Sequence, residues 1–143
     1  MNIKAKFLKD EVTGVLKPFL SLQIANANNQ EQYFRTSALI DNYSNFNISP
    51  LHTIQNWDKA NGERIQIVDH AENTLDLYVY NVIVELTQWR HEKERIIYET
   101  AWGFSEDIKA NLISATDLQQ HLGFEVNYYT KEMAIIKTPN ELA

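Results

Sequence analysis

Apolar and polar residues alternate with a period of two over much of this chain. After Pro18, Leu20, Leu22 and Ile24 alternate with Ser21 and Gln23, which predicts a half-buried strand. Residues 25–30, ANANNQ, favour left-handed backbone and predict a hairpin turn into a second strand over 32–40. That strand runs straight into an acid, Asp41, followed by Asn42-Tyr43-Ser44-Asn45 and a new apolar stretch at Phe46 and Ile48. An acid closing a hydrophobic strand is costly to bury unless it is paired or used. The same residues also suit a plain turn capped by the Asp side chain.

Ser49 before Pro50 predicts a short helix over 48–57, with Ser49 as N-cap and Pro50 at the first position. Asn61-Gly62 marks a turn. Residues 64–68 and 75–80 then bracket Asp69-His70-Ala71-Glu72-Asn73 as a hairpin with a polar tip. The second arm places Tyr78, Tyr80, Val82, Val84 and Leu86 on one face and Leu77, Val79 and Ile83 on the other. A strand apolar on both faces belongs in the middle of a sheet or barrel. Interleaved charges over 90–95 predict a solvated loop, and residues 95–102 return as a strand. Ser114 with Asp117 three residues on predicts a capped helix over 115–122, ended by a left-handed Gly123. Residues 124–128 and 133–136 predict a closing hairpin that Pro139 ends.

These pieces amount to about seven short strands and at most two short helices, with frequent turns, the pattern of an all-β barrel or sandwich. Residues 1–17, with an edge strand over 3–8 and a turn at Thr13-Gly14, form an N-terminal extension, and 18–143 a single domain.

Composition narrows the partners. The 143 residues carry a net charge of −6, so the basic footprint for nucleic acid or an anionic membrane is missing. There is no cysteine, which excludes disulfides and thiolate chemistry. No stretch approaches the roughly 18 apolar residues of a membrane-spanning helix, and residues 1–14 have no signal-peptide core. The expected location is cytoplasmic. His52, His91 and His121 lack metal-site spacing, the four glycines are isolated, and no Gly-x-Ser-x-Gly occurs, so neither metal nor cofactor is expected. Trp57, Trp89 and Trp102 read as core or rim residues.

The order of these segments resembles the single-lobed, retropepsin-like aspartic proteases. Ser37-Ala38-Leu39-Ile40-Asp41 matches the strand that delivers the catalytic Asp, and residues 65–77 fall where that family has its flap hairpin. Asn111-Leu112-Ile113-Ser114-Ala115-Thr116-Asp117-Leu118 resembles the late motif and its helix, and 123–128 with 133–136 the closing strands. The resemblance covers roughly residues 18–138 and implies a closed β-barrel with one or two short helices. It also implies Asp41 as the catalytic residue, with Asn42 and Tyr43 completing its triplet. Val68, Asp69, His70 and Ala71 would form the substrate-binding flap tip.

Two positions depart from the family pattern. Asp41-Asn42-Tyr43 stands for Asp-Thr/Ser-Gly, and Leu112-Ile113-Ser114 stands for a motif ending in Gly. The chemistry needs two carboxylates that share one proton, one activating water while the other protonates the substrate carbonyl. Asn42 can partly replace the hydroxyl, and Ser114 makes a good N-cap. Tyr43 should fill the water site or force the loop into another shape. No other Asp is followed by Thr-Gly or Ser-Gly, so activity implies a two-fold homodimer that pairs Asp41 with its mate. Residues 19–24 and 133–136 are candidates for its shared sheet.

The preferred expectation is a homodimeric, peptide- or protein-binding module with little or no catalysis, because Tyr43 has no evident way to serve the chemistry. An active aspartic endopeptidase and an unrelated small β-barrel interaction protein remain the alternatives.

Overall fold

The computed structural model describes residues 2–4, 6–10, 13–68, 71–87 and 95–142. The described residues form eleven strands and two short helices. In chain order these are β1 (Asn2–Lys4), β2 (Lys6–Lys9), β3 (Leu16–Asn26), β4 (Asn29–Asp41) and β5 (Ile48–Pro50). Two 3-10 turns follow, Leu51–Ile54 and Lys59–Asn61, then β6 (Glu63–Val68), β7 (Thr74–Leu86), β8 (Ile97–Ser105) and β9 (Leu112–Ser114). Helix α1 (Ala115–His121), β10 (Gly123–Asn127), β11 (Glu132–Lys137) and α2 (Pro139–Leu142) complete the order. The chain is therefore mostly β, as the period-two pattern predicts.

One sheet runs β2-β3-β4-β9-β5-β8-β7-β6, and an added β3–β7 pairing closes its middle six strands into a ring. The long strands make this closure possible by changing partners along their length. β3 pairs through residues 16–19 with β2, and through residues 22–26 with β7. β7 pairs through residues 74–79 with β6 and through 82–86 with β3, while β8 runs along its other side. Two of the contacts are parallel, β4 with β9 and β5 with β8. A smaller sheet, β1-β11-β10, is antiparallel throughout.

Alternation places Leu20, Leu22 and Ile24 of β3 and Val82, Val84 and Leu86 of β7 inside the ring, each at most 1% exposed. Trp102 of β8 is fully buried, and its indole Nε1 donates to Ser49 Oγ at 2.9 Å. A buried Trp keeps its area burial only if that N–H finds an acceptor. Gly14 joins β2 to β3 with a positive φ of 73°, which a residue without Cβ adopts at little cost.

Several expectations need correction. Ser49 caps no helix: it lies in β5, and the 3-10 turn behind it has Pro50 at its N-cap with no side-chain cap. The Ser-Pro pair carries the local signal of a helix start, but Ile48 is drawn into parallel pairing with Gly103 and Ser49 serves Trp102. Gly123 is not left-handed. Helix α1 ends in the extended Leu122, and Gly123 opens β10, where an added Cβ would stand 3.3 Å from Lys137. The closing hairpin does end before Pro139, which then opens α2, a helix the sequence pattern did not predict. Among the described residues no helix is long and apolar enough to cross a membrane. Trp89, His91 and the charged loop expected over 90–94 lie outside the described residues.

Candidate functional site

Asp41 is the last residue of β4 and stands in parallel register with Ser114, the last residue of β9 and the N-cap of α1. Its Oδ1 accepts the Tyr43 backbone N–H at 2.9 Å, so the chain turns at once on a side-chain hydrogen bond. Ser44 repeats the device two residues on, with its Oγ accepting from Phe46 N at 3.0 Å. Two polar residues that bond their own backbone explain why the strand stops here.

The far end of this loop is fixed by a buried polar cluster. Asn47, 4% exposed, uses its whole amide: Nδ2 donates to Ala101 O at 3.0 Å and to Asp117 Oδ2 at 2.9 Å, and Oδ1 accepts from Ser114 N at 2.8 Å. Thr100 donates to Asp117 at 2.8 Å, Ser114 Oγ donates to Ser44 O at 2.7 Å, and the same Oγ accepts the capping N–H of Asp117 at 3.2 Å. Loop, strand β8 and helix α1 are thus tied by groups whose hydrogen-bonding capacity is largely spent on one another. His121, one helical turn from Asp117, lies 3.7 Å from its carboxylate and stacks on Tyr98 with centroids 4.5 Å apart. Sequence reasoning assigned Asp117 only a capping role and missed Asn47 and Thr100 altogether.

The near end of the loop faces outward. Tyr43 is 84% exposed, so in this chain its ring fills no interior space. Asn42 is exposed and donates to the Tyr128 hydroxyl at 3.5 Å. Tyr43, Phe46 and Tyr128 are all exposed aromatics. No hydrogen bond or ion pair joins Asp41 to a second carboxylate among the described residues. Lys17 feels the charge of Asp41, but its ammonium is paired with Asp10 at 2.7 Å. That hydrogen bond, with the charges of Asp10 and then Asp41, holds Lys17 above the ordinary lysine range.

Asn45, Phe46 and Asn47 form one wall of a cavity of about 220 Å³, and Ile65, Leu77 and Val79 of the β6–β7 hairpin form another. Gly103 on its floor has no Cβ to offer. An added one would come within 3.2 Å of Leu77. Of the expected flap tip, Val68 ends β6 at 68% exposure and Ala71 lies in the exposed turn, while Asp69 and His70 lie outside the described residues. The two groups that the sequence suggested for a shared sheet are used within the chain. Leu20, Leu22 and Ile24 are core, and β11, with Met133 and Ile135 buried, has a partner strand on each side. Among the described residues no group of three or more His, Cys, Asp or Glu could hold a metal ion.

No protein-family model matches the chain, and no curated protein sequence matches it.

Proposed function

We propose that the chain is a retropepsin-like domain, its ring of strands a closed barrel of that kind, that binds an extended peptide or protein segment at the Asp41 end without hydrolysing it efficiently. The observation that carries this reading is the cavity walled by the loop that follows Asp41 on one side and the β6–β7 hairpin on the other. An extended segment laid there would find apolar surface from Phe46, Ile65, Leu77 and Val79, the mode in which pockets take alternate side chains. Catalysis is disfavoured because Tyr43 stands where the chemistry calls for a residue without a side chain.

The working form is a cytoplasmic homodimer in this proposal, with the contact at the Asp41 end. Tyr43, Phe46 and Tyr128 leave apolar surface exposed there, at 84%, 42% and 54%. Clustered exposed aromatics favour association.

The test is capture of peptides from a diverse library, read by mass spectrometry. Ala101 lines the cavity yet is itself exposed, so Ala101→Trp fills the space from outside the core. Wild type should retain a set of intact peptides that Ala101→Trp does not. Equal retention by both proteins would remove the cavity from the account.

A further inference from the structure

A second cavity, of about 440 Å³, shares no lining residue with the first. Strand β7 contributes to both by alternation: Leu77 and Val79 line the first, Tyr78 and Tyr80 the second, so the two lie on opposite faces of one strand.

Tyr80 is 2% exposed, and its ring is clamped edge-to-face by Trp57 and Phe104 at centroid distances of 5.3 and 5.8 Å. The hydroxyl end lies against Gly62, where an added Cβ would sit 2.7 Å from Cζ and 3.1 Å from the oxygen. Gly62 closes the 3-10 turn that carries Lys59, which also lines the cavity. The Tyr80 hydroxyl makes no hydrogen bond to a described residue, and its oxygen is not sealed from solvent as that of Tyr98 is, so it stays open to the cavity that Tyr80 lines. Burial, aided by the charge of Asp58, raises its pKa, so it is a neutral donor at ordinary pH.

The remaining lining matches that donor. Leu51, Ile54 and Tyr78 give apolar surface, while His52, Gln55, Lys59 and Glu106 make no side-chain hydrogen bond or ion pair with described residues. Lys59 and Glu106 oppose each other in sign, so the lining favours neither an anion nor a cation. The volume falls in the range of small-molecule sites, roughly 300–1,000 Å³.

We propose that this cavity binds a small uncharged molecule with an apolar body and one strong acceptor oxygen, of the amide or ketone class, which accepts the Tyr80 hydroxyl hydrogen. This site is independent of peptide binding at the Asp41 end.

Acetanilide is the probe, titrated into isotopically labelled protein and followed by NMR, with n-propylbenzene as a control of similar size that lacks the acceptor. Saturable shifts should centre on Leu51, Ile54 and Tyr78, and n-propylbenzene should bind about fivefold more weakly, the worth of one ordinary hydrogen bond. Tyr80→Phe keeps the ring and should weaken acetanilide by the same factor without changing n-propylbenzene. Leu51→Trp, which fills the cavity from its half-buried side and leaves the hydroxyl in place, should abolish the shifts. Absence of saturable shifts with acetanilide, shifts centred elsewhere, or equal affinity in Tyr80→Phe would overturn the proposal.

Discussion

The loop after Asp41 and the cavity beside Tyr80 handle polar groups in opposite ways. At the first, Asn47, Ser114, Asp117 and Thr100 spend their hydrogen bonds on one another, and Asp41 itself accepts the Tyr43 N–H. At the second, the Tyr80 hydroxyl and four exposed rim side chains bond no described residue and are left to solvent or a ligand. The acid that attracts notice in the sequence thus sits in a scaffold whose polar groups are occupied. The groups still available for a ligand sit where no motif pointed. Polar groups that line a cavity and bond no neighbour keep their hydrogen-bonding capacity for a ligand, which groups spent on the scaffold cannot offer.

Removing the most heavily used group should have the largest effect. Asn47→Ala deprives Ser114 N, the Asp117 carboxylate and Ala101 O of their partner together. It should lower stability by about 3 kcal/mol, read as a fall in the urea midpoint with an unchanged slope. A loss under about 1 kcal/mol would mean that water replaces the cluster readily.

Ser114→Ala is the next step down. It removes the cap on Asp117 N and the bond to Ser44 O while leaving Asn47 intact, and should cost about 1.5 kcal/mol. Destabilisation equal to that of Asn47→Ala would show that the cluster fails as a unit.

Alkaline pH probes the first region through Tyr98. Tyr98 packs against His121 behind the Asp117 cluster, its hydroxyl is buried without a partner, and burial with the charge of Asp117 pushes its pKa far above the ordinary 10.0. The folded state therefore holds a proton that the unfolded chain releases near pH 10. Its contribution is fully present below that pH and declines as pH rises above it. Stability should fall by about 1.4 kcal/mol per pH unit from this group alone, and Tyr98→Phe should reduce the slope by that amount in urea melts at pH 10–12. An unchanged slope would mean that Tyr98 ionises freely in the folded chain.

The smallest stability change belongs to Tyr80→Phe. No described partner is lost and the aromatic clamp stays, so the midpoint should move by less than about 0.5 kcal/mol. A loss above about 1.5 kcal/mol would expose a hydrogen bond that the comparison between the two regions denies.

Much of the fold is legible in the sequence because it rests on local patterns. The alternation at Leu20, Leu22 and Ile24, the tight turn before β4, the β6–β7 hairpin and the Ser114 cap depend on near neighbours, and each stands where it is expected. What escapes is held by distant partners. The three-residue strands β5 and β9 exist through parallel pairing with β8 and β4, which no local period encodes. Ser49 reads as a helix cap because its true partner, the Trp102 indole, is 53 residues away. The Asn47–Asp117 bond spans 70 residues, and alternation alone gives a polar position such as Asn47 no reason to be buried. At the site, the position of Asp41 at a strand end is legible, whereas the occupied state of its surroundings and the Tyr80 cavity emerge only once the ring has closed.

The most direct test of the central claim is incubation of the purified protein with a diverse peptide mixture from pH 4 to 7, alongside Asp41→Asn, with products read by mass spectrometry. The account predicts that wild type yields no product absent from the variant's digest, while intact peptides are retained by both. Cleavage products that form with wild type and vanish with Asp41→Asn would make the chain a working aspartic endopeptidase and contradict the account.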